Sequence, residues 1–374
     1  MTTRVLIIGG TGNFGGVIAR LLAPDANLHL LIASRSRERA QAFVATLTAA
    51  NPPDAIALDI DSDLIPTLSQ ARPDIVVHTT GPVQHPNHRV AEACARLPCH
   101  YIDLADARDF VAGITALDAA FRAANRLAVS GASSVPCLTA AVIDHYRAHF
   151  ARLRTVDYGI SATQQTNRGL ATTSAILSYV GKPFSTRRHG NDITIWGWQG
   201  TRTHRYPELG RRLLADCDIP DLALFPARYP ELETISFGAG HELWLVHLGL
   251  WALSWLVRLR ILRSLQPLGP TLLRLSFLFD PFASGSSGFH MSLSGEGHDG
   301  KPHYENFHII ARSGDGPLIP CMPAILLVRA LAAGTLRATG ARPCLDLIDL
   351  PTYCAALAGH DISVHPEPTA HAPL

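Results

Sequence analysis

The chain has little charge. Asp, Glu, Lys and Arg make up 17% of its 374 residues, apolar residues make up 47%, and the net charge is +1. No run of like charge stands out, so a field able to hold nucleic acid is not expected. The seven cysteines (Cys94, Cys99, Cys137, Cys217, Cys321, Cys344 and Cys354) are odd in number and contain no C-x-x-C. That argues against a disulfide framework or a zinc ribbon and fits a reducing, cytoplasmic setting. The opening residues lack a basic region, an apolar core and a cleavage site, so no secretory signal is expected. No Tyr-x-x-x-Lys pair occurs either, which argues against short-chain dehydrogenase chemistry. The length allows two domains and a substantial core.

The most informative stretch is Val5 to Gly16, VLIIGGTGNFGG. Val5 to Ile8 is a short branched apolar run, the pattern of a strand buried on both faces. Gly10, Gly12 and Gly15 follow at once, and Val17 to Leu22 gives an apolar helical face. Strand, glycine turn and helix in this order form the cradle of a dinucleotide pyrophosphate. Gly10 is expected to take a positive φ, Gly12 to let the backbone approach the phosphates, and Gly15 to let helix and strand pack closely. The helix N-terminus would present N–H groups and a positive dipole end. The candidate contacts in this turn are Gly10, Thr11, Gly12, Asn13, Phe14 and Gly15.

Asn27 to Ala33 is a second strand ending at Ser34-Arg35. An acidic residue here would bind both ribose hydroxyls of NAD, whereas an Arg suits the 2′-phosphate of NADP. Arg35 therefore points to NADP over NAD, with Ser34 beside it; the alternative is a solvated helix-start residue. Ser36 to Leu47 is predicted helical and capped near Ser34 or Ser36. Asp54 to Leu58 is a third strand, after which Asp59 and Ile60 are candidates for the adenine and Asp61 for capping a helix over Ser62 to Ala71. Asp74 to Thr79 is a fourth strand running into Thr80-Gly81-Pro82, where nicotinamide and substrate should meet. His85 and His88 follow, but no third ligand has useful spacing, so no metal is assigned. Asn87 to Leu97 and Phe110 to Ala124 are predicted helices on either side of a fifth strand, Cys99 to Asp103. Leu127 to Ser130 is the sixth strand. Pro136 is placed in the first turn of a helix over Leu138 to His149, with Ser134 as its cap.

The expectation is an α/β chain. Residues 1–150 form a Rossmann domain with a doubly wound parallel sheet. Residues 151–320 form an α+β substrate or dimerisation domain with a mostly antiparallel sheet, its strands at Thr155–Ala162, Asp192–Trp198, Thr234–Gly238, Gly288–Gly295 and Tyr304–Arg312. Leu170 to Tyr179 is predicted helical. Residues 321–374 hold a helix from Pro323 to Ala333 and a loose tail after His360. Leu243 to Val257 is almost wholly apolar, carries three of the five tryptophans and ends at Arg258, Arg260 and Arg263. It stops short of the roughly twenty residues that cross a membrane. It is either a buried helix or one that docks on a membrane or a partner chain.

VLIIGGTGNFGG, HTTGPVQHPNHRVAEACARLPCHYIDLADARDF and SGASSVPCLTAAVID together resemble the saccharopine dehydrogenase-like (saccharopine reductase type) NADP-binding family. The resemblance spans about residues 4–145 and returns at Arg168–Thr172 and Gly316–Gly334. It implies a Rossmann domain, a second domain over the cleft that often makes a dimer, a late helix returning to the first domain, and hydride transfer with a nicotinamide cofactor. Better-known members act on amino-acid or polyamine adducts; a full set of substrate-carboxylate arginines is not matched here. The lead expectation is thus an NAD(P)H-dependent oxidoreductase acting on a small-molecule C=N or C=O. Asp103 and Asp106 are candidate acids or bases, each also a candidate cap, and Arg168 is a candidate for a substrate anion or a surface residue. Cys137 lies near a helix N-terminus without a placeable His partner, which favours an inert buried thiol. The alternatives are a non-catalytic NADP(H)-binding redox sensor, or a membrane-associated reductase of a lipid-like substrate.

Overall fold

A computed structural model describes residues 2–81, 87–165 and 169–369. The chain divides into two compact units, Met1–Leu138 with Pro317–Ile348, and Thr139–Gly316 with Asp349–Leu374.

The first unit is built on a seven-stranded parallel sheet. β1 (Thr3–Ile8), β2 (Leu28–Ser34), β3 (Asp54–Ala57), β4 (Ile75–His78), β5 (His100–Asp103) and β6 (Leu127–Ser130) are joined by Gly340–Pro343 from late in the chain. The order is Gly340–Pro343, β6, β5, β4, β1, β2, β3. Residues of β1 and β4 such as Val5, Leu6, Val76 and Val77 are wholly buried, as unbroken branched runs require. The order reverses between β1 and β4, so the carboxyl ends of these strands form the topological switch point. α1 (Asn13–Leu22) follows β1 and α2 (Arg37–Val44) follows β2. Ser36 caps α2 by accepting from Arg39 N at 3.1 Å. The helix Leu318–Ala332 lies against α1: Arg329 Nε reaches Asp25 Oδ2 at 2.9 Å, and Cys321 Sγ lies 3.6 Å from Phe14 O.

Local details depart from expectation. α3 (Leu64–Ala71) is capped by Asp63, which accepts from Ile65 N at 3.1 Å, and not by Asp61. Asp59 instead turns back on the chain and accepts from Asp61 N at 3.1 Å, so the turn runs two residues further before the helix starts. α4 (Arg89–Arg96) is as expected, but 110–124 is not one helix. It is Arg108–Gly113, a 3-10 turn Ile114–Leu117, and Asp118–Ala123. Pro136 does not open a regular helix either: Val135 is extended (φ −118°, ψ 125°), as a residue before proline prefers, the Val135–Pro136 bond is cis, and the regular helix begins at Thr139.

The second unit holds a seven-stranded mixed sheet. Its strands are β7 (Phe150–Ala162), β10 (Arg202–Tyr206), β11 (Gly210–Asp216), β12 (Thr234–His241), β13 (Ser287–Gly297), β14 (Pro302–Ala311) and the last strand, Ile362–Thr369. The order is β10, β11, β12, β7, β13, β14, Ile362–Thr369. β12 and β7 run parallel and the other neighbours antiparallel, so the sheet is mostly antiparallel. β8 (Pro183–Arg188) and β9 (Asn191–Trp196) form a separate hairpin. The tail after His360 is therefore not loose: Ile362–Thr369 pairs with β14 from Tyr304↔Thr369 to Ala311↔Ile362. In the core of this unit Tyr158 OH donates to Asp221 Oδ2 at 3.0 Å, and burial pushes the Asp221 carboxyl up to about 7.

Candidate functional site

The glycine turn lies at the carboxyl end of β1. Gly9, and not Gly10, has the positive φ, +78°. A Cβ there would stand 2.7 Å from Thr80 Cγ2, so both conformation and space hold this position to glycine. Gly10 is buried over Ile32, whose Cγ2 would lie 2.9 Å from an added Cβ. Gly12 is the N-cap of α1, with extended backbone, and its N–H donates to Gly9 O at 2.8 Å. A Cβ at Gly15 would lie 2.3 Å from Gly9 O and 2.7 Å from Thr79 Oγ1, which is the close helix–turn packing expected of it. Asn13, Phe14 and Gly15 occupy the first turn of α1, where backbone N–H groups have no intrahelical acceptor. Thr11 sits between them and the strand. The turn thus presents donors and a dipole to an anion.

The next strand ends bring in the other candidates. Ser34 closes β2 and Arg35 is exposed immediately after it, before the Ser36 cap. Among the described residues Arg35 makes no hydrogen bond or ion pair. Asp59 is exposed after β3, and Ile60 is partly buried against the core cluster of the first unit. Thr80 and Gly81 follow β4; Pro82 and His85 lie outside the described residues, as does Arg168. His88 packs its ring on Phe110 at 4.5 Å.

Two features at this edge were not legible in the sequence. His78, the last residue of β4, is buried between Thr80 Oγ1, 2.7 Å from Nε2, and Tyr101 OH, 3.0 Å from Nδ1. Burial pushes its pKa down to about 4, so the ring is neutral at pH 7. Asp103 ends β5 and is 1% exposed. Its Oδ1 accepts from Ala105 N at 2.9 Å, Gly131 N at 2.9 Å and Ser130 Oγ at 3.0 Å, clamping the ends of β5 and β6 together. Its Oδ2 has no hydrogen-bond partner among the described residues. Burial raises this carboxyl, opposed by the Gly131 and Ala105 N–H groups. Desolvation by surrounding protein raises Asp106 as well, but Asp106 is exposed where Asp103 is buried. Cys137 is buried beside Cys344, whose thiol burial pushes far up, and both are free.

The second unit has one set of donors of the types that hold a divalent ion. His149 Nδ1 and His303 Nε2 lie 2.7 and 3.1 Å from Glu305 Oε1. His303 and Glu305 share one face of β14, two residues apart. Direct hydrogen bonding to the buried carboxylate accounts for this group as it stands.

Residues 5–130 match the family model described as saccharopine dehydrogenase NADP binding domain. A comparison with curated proteins finds no match. Among solved structures the chain is similar to apo histidine-tagged saccharopine dehydrogenase (L-Glu forming) from Saccharomyces cerevisiae, at 14% identity and a TM-score of 0.68, covering 98% of this chain and 100% of that one. It is less similar to amine dehydrogenase from Mycobacterium smegmatis, at 12% identity and a TM-score of 0.47, covering 92% and 95%. The first likeness is one of fold over the whole chain. The turn, which a Cβ would fill, and the donors of α1 fit a dinucleotide pyrophosphate. In its glycine turn, its strand order and the family match, the segment 5–130 is similar to the NADP-binding domain of saccharopine dehydrogenase.

Proposed function

We propose that the protein is an NADP(H)-dependent oxidoreductase acting on a C=N or C=O bond of a small molecule. The observation that carries this reading is the pair of features at one sheet edge: the glycine turn with its free first-turn donors, and an unpaired Arg35 at the end of β2. Bound NADP supplies or accepts a hydride at its nicotinamide. The chain's own residues bind, orient and move a proton. The backbone N–H groups of Asn13 and Phe14 would receive the pyrophosphate, with Gly12 leaving it room, and Arg35 with Ser34 would receive the 2′-phosphate. Asp59 and Ile60 would flank the adenine side, and Thr80 and Gly81 the nicotinamide side.

The two carboxyls divide the remaining work. Asp103 has one oxygen committed to three donors and no solvent access, so it positions the loop that follows β5. Asp106 is exposed on that loop, where it can exchange a proton with solvent, as a general acid must between turnovers. Arg168 is assigned to a substrate anion. The chemistry calls for no more than this, because the cofactor carries the redox step.

The test is NADPH oxidation against a panel of imines, ketones and enones, read at 340 nm-type absorbance loss or by fluorescence decay. Turnover of a panel member, with Asp106→Asn losing the acidic partner from the pH–rate profile, supports the assignment. Tight NADPH binding with no turnover across a broad panel sinks the enzymatic reading and leaves a binding protein.

A further inference from the structure

We propose that the segment Trp244 to Phe282 docks this protein on an anionic lipid membrane surface. The proposal is independent of the cofactor site and rests on an inverted helix. In Trp244–Arg258 the buried positions are His247, Ser254 and Val257, two of them polar and with no exposed surface at all. The exposed side holds Trp244 (60%), Leu245 (55%), Leu248 and Trp251, spaced four and three residues apart along one face from Trp244. A helix bathed in water carries the opposite pattern. Burial pushes the His247 pKa down to about 4, and its ring nitrogens have no hydrogen-bond partner among the described residues, a cost the sequence bears while large apolar side chains face outward.

The same surface continues beyond the helix. Leu259, Ile261, Leu275, Phe277, Leu278 (68%) and Phe282 (76%) are exposed in turn. They are carried by the turn after the first helix, by the helix Gly269–Ser276 and by the 3-10 segment Phe277–Phe282. Leu253, Leu262 and Leu272 tie these pieces to one core cluster with Val257 and Leu265. Large apolar side chains exposed together on linked elements mark an interaction site. No helix among the described residues is long and apolar enough to cross a membrane, so the mode is docking in the interface.

Charge selects the occupant. Between Trp244 and Phe282 the sequence has four arginines, Arg258, Arg260, Arg263 and Arg274, against a single acidic residue, Asp280. A cavity of about 790 Å³ is lined by Lys182, Arg258, Arg260 and Arg263 together with Trp196 and Leu259. Arg258 lies 4.0 Å over the Trp196 ring and 4.9 Å over Trp255, a stacked cation held at the border of the apolar surface. A second copy of the chain would bring the same four cations against these, with only Asp280 of this segment to meet them. Anionic phospholipid supplies both partners at once: acyl chains for Trp, Leu and Phe, and phosphates for the arginine-lined cavity. Tryptophan is also a residue of the headgroup level.

The experiment is vesicle co-sedimentation of the full chain, with phosphatidylcholine vesicles alone or mixed with phosphatidylglycerol. It compares wild type, Leu278→Glu with Phe282→Glu, and Arg260→Glu with Arg263→Glu. Both pairs replace exposed side chains, and NADPH titration and circular dichroism verify folding. The wild type is expected to pellet with mixed vesicles and less with phosphatidylcholine. The arginine pair should lose that preference by about tenfold or more, as removal of basic residues from an anionic surface does. The apolar pair should stay in the supernatant with both. Wild type remaining in solution with both vesicle types overturns the proposal, as does equal pelleting of all three proteins. A wild-type dimer in sedimentation velocity that the apolar pair dissolves, without vesicle binding, also overturns it and assigns the surface to a second copy.

Discussion

Arg35→Ala is the perturbation that isolates cofactor choice. Arg35 is exposed one residue past β2 and makes no hydrogen bond or ion pair among the described residues, so truncation leaves no buried partner stranded. Its loss should therefore be felt on binding and hardly on stability. A hydrogen bond to a charged group contributes about 1.5–3 kcal/mol, and a guanidinium can make two to a phosphate. Exposure and a screening length of about 8 Å at physiological salt reduce the sum, so the whole contact is worth about 2 kcal/mol. That is about thirtyfold in affinity for NADPH. NADH lacks the 2′-phosphate, and its affinity should move by less than about twofold. Nicotinamide fluorescence titration of wild type and variant with both cofactors, at low and high salt, measures all of this. The NADPH preference should shrink with salt in the wild type and be nearly salt-independent in the variant. Arg37 and Arg39 are exposed in the first turn of α2 and supply the control: Arg37→Ala should change NADPH affinity far less. Equal losses for NADPH and NADH, or no loss for either, would refute the assignment of the 2′-phosphate to Arg35.

Three further outcomes are expected. Gly15→Ala should abolish measurable binding of both cofactors while leaving the second unit folded, because its Cβ would lie 2.3 Å from a backbone oxygen of the turn, which cannot rotate away; calorimetric titration of NADPH reads it. Asp103→Ala should strip the acceptor from two backbone N–H groups and the Ser130 hydroxyl, lowering stability by about 3 kcal/mol in denaturant melts, given about 1–3 kcal/mol per unsatisfied buried donor. Asp221→Asn tests linkage. Burial raises the Asp221 carboxyl to about 7 in the folded chain, from the ordinary carboxylate value of about 4, so the folded state binds the extra proton and stability falls as pH rises from about 4 through 7. Three units correspond to about 4 kcal/mol. The variant should gain on the wild type by that order between pH 4 and pH 8 in thermal melts, and parallel pH profiles would count against the buried, protonated carboxyl.

How much of this was readable beforehand depends on how local each feature is. The glycine turn was legible because strand, turn and helix are contiguous and each element has its own signal. Even so, the positive φ belonged to Gly9: a G-G pair leaves open which glycine turns, and Thr80, just past β4 and far along the chain, packs against the one that does. The strand Gly340–Pro343 was not legible, since four residues with Arg and Pro carry no pattern and its partner β6 lies some 210 positions earlier. β10 and β11 were missed because Arg and His interrupt their alternation, as in RTHRY. The last strand was missed for an instructive reason. Pro366 and Pro368 look like breakers, yet Ile362–Thr369 is an edge strand, where a proline can stand with its missing N–H on the unpaired side.

Burial, finally, is what separates residues that the sequence makes equivalent. Asp103 and Asp106 stand three apart in IDLADA, and no spacing argument distinguishes them. The structure does so through their surroundings: β5 carries Asp103 inside, where β6 and the loop after it supply three donors to one oxygen, and the chain then emerges with Asp106 in solvent. The same holds for the Trp244–Arg258 helix. Its composition announces only an apolar run, and the expected default for such a run is burial. The packing instead spends the interior face on His247, Ser254 and Val257 and turns Trp244 and Trp251 outward. An apolar helix placed in the core would need no arginines at its end, and one placed in water would not expose Trp244. The two observations together are satisfied by an environment that is apolar and anionic within one helix length, which is the chemistry of a lipid headgroup boundary.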